Sequence, residues 1–345
     1  MKRLYAYIVI ASSILLPSQN IEQQGLIKRD TLSNGIKVVH IYSDEQPVSF
    51  VSCRINIGKL HTPLDAPGIH TMTFDLLDKG SKDMTKSQIS DALSSIGTTI
   101  SIYSGSEYST LSSKCMSYDL DSLISVFYQI IVEPLFSKNE FNKYKKRKVQ
   151  SANLWKNNSL ENAANHAKAV LYGLSPYGIV PTKKDIRSIN LQDVQDFYSE
   201  VNPHIVTFYI HSNIDRKKSL TILEKYFSNW KKTNSIERPR YTYNSLRGVK
   251  SIFIDNPSLD QSTIYITKWS EPKYRKKHYA IDIANHIIGG SFHSRLNRRL
   301  RINGGKTYGA ESYHLRLSDV GRVATTTSTR TSETMNTLLL IIDEM

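Results

Sequence analysis

Apolar residues along this chain recur with two different spacings, and the changes of spacing mark out its elements. Leu26 to Asp44, LIKRDTLSNGIKVVHIYSD, sets two apolar runs around Asn34-Gly35 and predicts a β-hairpin. VSFVSCRINIG, Val48 to Gly58, predicts a strand. Pro67 to Lys79 follows as a helix with Asp65 as its N-cap, and Met84 to Gly97 as a second helix ending in glycine. TTISIYSG and EYSTLSSKCMSYD predict strands, the second alternating at period two. SLISVFYQIIVEPLF reads as a helix stopped near Pro134. Further helices are predicted from about Ser137 to Gly173 and from Leu191 to Val201, then a strand over Ile205 to Asn213 and a helix over Lys218 to Trp230.

The second half repeats the pattern. SIFIDN and STIYITKWS predict strands, KHYAIDIANHIIGG and HSRLNRRLRINGG helices, TYGAESYHLR and GRVATTTSTR strands, and SETMNTLLLIIDEM a helix. Strand, helix, helix, strand, strand, helix therefore occurs twice, as in an internally duplicated α+β unit. The expected division is a leader over 1–25, a first domain over 26–230, a polar proline-bearing linker over 231–245, and a second domain over 246–345. The first half carries a helical region and a closing strand after its matching helix; the second stops at that helix. The expectation is a partial second domain, from a fragment or a trimmed chain.

Composition narrows the class. Hydrophobic residues make up 39% and charged residues 22%, enough for packed cores. The net charge of +14 would suit an acidic partner or an anionic membrane surface. Lys and Arg are spread along the chain, without zinc-finger spacing or an aromatic RNA-binding signature, so no nucleic-acid role is expected, and peripheral membrane contact stays open. The densest run, KYKKRK, falls within a predicted helix and reads as its solvated face. Behind Lys2 and Arg3, Leu4 to Leu16 is an uncharged, mostly apolar stretch, short for a bilayer span but suited to a signal peptide. It predicts export, most simply to a bacterial periplasm. Cys53 and Cys115 both lie in predicted strands; one disulfide or two buried thiols are both open.

The chemistry rests on PGIHTMTFDLLDKG, Pro67 to Gly80. Together with the duplicated layout, this segment resembles the insulinase (pitrilysin) family of zinc peptidases, especially its processing-peptidase-like branch, from about Thr31 onward. The resemblance implies that family's fold, with each repeat a mixed or antiparallel sheet packed on helices. The family's signature is H-x-x-E-H on a helix, where two His hold zinc and the Glu takes a proton from metal-bound water. The flanking Pro-Gly and Lys-Gly set the register, and the three motif positions fall on Thr71, Phe74 and Asp75. Only Asp75 is able to touch a metal. His70 lies one residue out of register and about 140° around the helix from Asp75, and reads as a structural histidine. NHAKAVLYGLSPYG resembles the segment of the third ligand, whose position falls on Asn165, or on Glu161 after a shift of one turn.

SFHSRLNRRLRINGGKTYGAESY resembles the segment with which the family holds the substrate backbone and the tetrahedral oxygen. The resemblance assigns the substrate-binding Arg to Arg301 and the Tyr to Tyr308, with Gly305 at the turn between them. Gly304 stands where the family often has a second Arg. Alone, these residues would read as a surface arginine and a core-strand tyrosine. Some family members are heterodimers in which one subunit carries zinc and the other this Arg/Tyr pair. The expectation is therefore a non-catalytic subunit that binds no metal itself, works beside a zinc-containing homologue and holds an extended peptide. The alternative is an inactive scaffold or peptide-binding homologue.

Overall fold

A computed structural model describes residues 27–231, 237–241, 243 and 247–345. The expected leader and part of the expected linker lie outside them. Along the chain the first elements are strands β1 (Ile27–Thr31), β2 (Lys37–Tyr42) and β3 (Val48–Ile55), then helices α1 (Ile69–Phe74) and α2 (Lys86–Ser95). Strands β4 (Ser101–Ser104) and β5 (Ser109–Met116) lead to α3 (Leu120–Val132), α4 (Lys138–Ser151), α5 (Ser159–Tyr172), α6 (Lys183–Ser188) and α7 (Leu191–Ser199). Strand β6 (Val206–Ser212) and α8 (Arg216–Phe227) close the first half. The second half contains β7 (Gln261–Ser270), α9 (His278–Gly289), a π-helical turn (Asn297–Ile302), β8 (Ala310–Arg316), β9 (Gly321–Arg330) and α10 (Thr334–Glu344).

Two compact units emerge. One holds the segment ending at Lys59 with Ile69–Tyr144 and Ile189–Glu237; the other holds Leu60–Gly68, Lys145–Ser188 and Arg238–Met345. The break at Glu237 falls inside the expected linker. The segment Lys145–Ser188, read from sequence as part of the first domain, groups instead with the second half. Its helix α5 packs on β7, with the Tyr172 and Trp269 rings 5.2 Å apart.

The first unit is built on a six-stranded mixed sheet in the order β1-β2-β6-β3-β5-β4, in which only β2 and β6 run parallel. Helix α3 buries Leu123, Ile124, Phe127, Ile130 and Ile131, the i, i+3, i+4 stripe expected of a helix laid on a sheet. Phe127 meets Phe208 of β6 at 6.3 Å, and Phe208 meets Phe227 of α8 at 5.0 Å. Helix α2 starts at a complete capping box between Thr85 and Gln88. The basic run lies on α4, where Tyr144 is buried and Lys143, Lys146 and Arg147 are exposed, as a solvated face requires.

The second unit carries a three-stranded antiparallel sheet, β7-β9-β8. Its core joins Ile264, Leu296, Leu300, Ala310 and Ile341. SIFIDN forms no strand. Phe253 within it is 86% exposed, and no described strand pairs with it, so nothing satisfies its backbone as a ladder would.

Cys53 and Cys115 are free and buried. Cys53 faces Leu111 across the ladder and Cys115 faces Ser49, an offset of four residues, or about 13 Å along the strands. That separation rules out a bond. Burial pushes the Cys115 thiol up to about 11 and the Cys53 thiol higher still.

Candidate functional site

The helix expected over Pro67 to Lys79 is much shorter, with its α-helical part confined to Ile69–Phe74 and a 3-10 turn over Leu77–Lys79. Asp65 does not cap it, because Pro67 and Gly68 form a turn and Gly68 has φ +98°. Within this helix Phe74 is fully buried, and its ring packs 5.0 Å from His70 and 6.2 Å from Tyr198. Asp75 turns its carboxylate to protein donors. Oδ2 accepts the Tyr144 hydroxyl at 2.5 Å, and Oδ1 lies 3.5 Å from Ser104 Oγ. Thr71 is half-buried. His70, 1% exposed, shares a 2.8 Å hydrogen bond with Ser109 Oγ, which donates to the Ile57 carbonyl. It is a core histidine.

Asn165 is buried on α5, and Glu161 is exposed in the first turn of that helix, where its N–H bonds Asn158 Oδ1. Both belong to the second unit. Among the described residues no group of three or more His, Cys, Asp or Glu is placed to hold a metal. The residues at the zinc positions do not fit the ion. One is a hydrocarbon ring in the core, one a hydroxyl, and one a carboxylate already bonded to a phenol.

Arg301 and Tyr308 come together as walls of one cavity of about 380 Å³, between the end of α9, the π-helical turn and the start of β8. The Arg301 guanidinium lies 4.5 Å from the centre of the Phe292 ring, a cation–π contact that holds it over the cavity. Tyr308 precedes β8 and is 87% exposed, so it is not a core-strand residue. The turn between them uses Gly305 at φ +56°. A side chain at Gly304 would place its Cβ 2.6 Å from the Arg299 carbonyl, so the wide turn itself demands glycine there.

The exposed Tyr308 stands on a fixed backbone. Thr329 Oγ1 donates to the Lys306 carbonyl at 2.9 Å, Thr327 Oγ1 to the Gly309 carbonyl at 2.8 Å, and Lys306 Nζ pairs with Glu333 at 2.6 Å. Asn297 Nδ2 donates to the Ser291 and Ala310 carbonyls at 3.0 and 2.9 Å, and its Oδ1 accepts the Ala310 N–H at 2.9 Å. One buried amide thus ties the π-helical turn to the segment after α9 and to β8. Asn285 caps the next outward carbonyl of β8, that of Ser312, at 2.9 Å. These side chains cover part of the strand's free edge, so the cavity presents side chains rather than an open ladder.

Sequence reasoning singled out neither the two Asn nor the Thr residues of β9. A run of threonines reads as ordinary strand filler, and only the fold brings it under the 306–309 loop. It also missed Ser270, His314 and Asp282, which stand in hydrolase order: Ser270 Oγ to His314 Nε2 at 3.0 Å, His314 Nδ1 to Asp282 Oδ1 at 2.8 Å. The His314 side chain is 2% exposed, and Asp282 also pairs with Arg316 at 2.7 Å. The set ties α9 to the sheet.

Residues 37–174 match the family model described as insulinase (peptidase family M16), and residues 188–345 match that of the peptidase M16 inactive domain. The uncharacterized zinc protease YmxG of Bacillus subtilis is 21% identical over 305 residues, 86% of this chain and 72% of that protein. A zinc protease of Rickettsia felis is 22% identical over 297 residues, 84% of this chain and 70% of that one. A peptidase M16 inactive domain from Pseudomonas fluorescens superposes with a TM-score of 0.84 at 19% identity, covering 92% of this chain and 78% of that one. The periplasmic protease PqqL of Escherichia coli superposes with a TM-score of 0.79 at 15% identity, over 92% of this chain and 36% of that one. The two family models together account for both repeats. The chain belongs to the insulinase family of peptidases and lacks that family's H-x-x-E-H motif.

Proposed function

We propose that this chain is the non-catalytic, substrate-clamping subunit of a two-subunit zinc peptidase that acts on extended peptides. One observation carries the reading. The zinc positions have been absorbed into packing and hydrogen bonds, whereas Arg301 and Tyr308 line one cavity on a braced backbone. In this reading zinc sits only on a homologous partner. Arg301 holds a peptide carbonyl, and the Tyr308 hydroxyl donates to the oxygen that gains charge as the carbonyl becomes tetrahedral. The basic, export-type leader and the periplasmic neighbour from Escherichia coli support a place outside the cytoplasm.

The test is reconstitution. The chain alone should not cleave a quenched-fluorescent peptide, and the chain mixed with an H-x-x-E-H homologue from the same organism should. If that homologue cleaves equally well by itself under matched conditions, this chain is a scaffold or binding protein instead.

A further inference from the structure

Arg322 of β9 is 6% exposed. It makes no ion pair with any described carboxylate. One of its terminal amino groups donates to the Tyr265 hydroxyl, and its Nε is buried with no hydrogen-bond partner. By register it stands beside Trp269 of β7 and Leu315 of β8, on the sheet face that packs against α5. From α5 come Lys168, half-buried and likewise without an ion pair, and Tyr172, whose buried hydroxyl lies within reach of the Arg322 guanidinium as an acceptor and finds no acceptor for its own proton. Burial and the nearby Arg322 charge depress the Lys168 ammonium below its ordinary value, with the Glu161 charge opposing them.

The order of protons is fixed. Arginine only donates, so Tyr265 accepts from Arg322. Its own proton is then satisfied by donating to the Tyr313 hydroxyl, 2.8 Å away. The Arg322 guanidinium also lies 5.7 Å from the centre of the Tyr313 ring. Donors and positive charge therefore converge from α5, β7, β8 and β9. The carboxylates on the facing elements, Glu161 and Glu311, are exposed and pair with neither cation. Buried cations are normally matched by an anion, and buried donors by an acceptor.

We propose that Arg322, Lys168 and Tyr172 form a binding site for a carboxylate of an extended peptide. Tyr313 joins this site to the Arg301–Tyr308 cavity: it is 40% exposed, lines that cavity, and ends the hydroxyl chain from Arg322. Only the source of the carboxylate, a peptide, rests on the function proposed above.

The test uses the full chain without partner or zinc. Three decapeptides carrying a neutral dye differ in one group: an internal Glu with an amidated C-terminus, Gln with an amidated C-terminus, and Gln with a free C-terminus. One of the two carboxylate peptides should bind about tenfold tighter than the uncharged one, and which one identifies the source. Arg322→Met and Lys168→Met should each remove most of that preference, whereas Arg301→Ala should weaken all three peptides alike. In parallel, glutarate should raise the melting temperature of the wild type and not of Arg322→Met. Glutarate stabilisation without peptide binding would keep the site and sink the peptide reading. Should Arg322→Met fail to fold, Lys168→Met decides alone. Equal affinities for all three peptides together with no effect of glutarate, or a preference that survives both Met variants, would overturn the proposal.

Discussion

Phe74, to which the family resemblance assigns the position of the general base, is a core residue. A charge placed there would be buried against His70 and Tyr198 without a counter-ion. Phe74→Glu should therefore cost about 3–5 kcal/mol of stability, read as a lower urea midpoint. For the same reason, Thr71→His, Phe74→Glu and Asp75→His combined should unfold the first unit rather than restore an enzyme. The wild-type chain should hold no stoichiometric zinc after mild dialysis. Near-equimolar metal by elemental analysis would show that the site has been misread. What sequence offers for this segment is its frame, Pro67-Gly68 on one side and Lys79-Gly80 on the other, from which the register is set. What Asp75 and His70 do instead was not legible there, since Tyr144 and Ser109 lie 69 and 39 residues away in sequence.

At the scale of elements, α1 is a single turn and a half where periodicity predicted a longer helix. The Gly68 turn delays its start, and no acidic residue supports its first turn. The strands of the duplicated pattern appear where apolar alternation predicted them, except at SIFIDN. Alternation reports a face available for burial, and a strand also needs a neighbour. The loop bearing Tyr308 depends on pairs far apart in sequence, which pattern reading does not reach. Asn297→Ala would strand both the N–H and the carbonyl of Ala310 and should cost about 1–3 kcal/mol by urea denaturation.

His40 on β2 gives the first unit a pH dependence. It is 1% exposed, its Nε2 bonds the Ile214 carbonyl at 3.0 Å, and burial depresses it below the ordinary histidine value of 6.5. Just below that value the unfolded chain binds more protons than the folded one. Stability is therefore full above about pH 7 and falls as the pH drops from there towards 5. His40→Gln, which retains a donor for the carbonyl, should flatten the urea midpoint across that range.

For the whole molecule, the duplication was readable from element order alone, but the assignment of Lys145–Ser188 was not. Those helices follow the first repeat in sequence and pack with the second, because Leu171, Tyr172 and Tyr177 share a core with Leu317 and Val320. Their apolar stripe shows that they need a partner surface without saying which.

Of the expected metal positions, Phe74 is built into the interior and Asp75 is bonded to Tyr144, whereas Arg301 and Tyr308, the expected substrate residues, stay exposed. In the proposed reading, Tyr308 donates to a charge that develops only during cleavage on a partner's zinc. The direct measurement is steady-state kinetics of the reconstituted pair with Tyr308→Phe, its assembly confirmed by gel filtration. The kcat of that pair should fall by about one to three decades with KM little changed. A kcat equal to that of the wild-type pair, with assembly intact, would contradict it and leave the chain a scaffold.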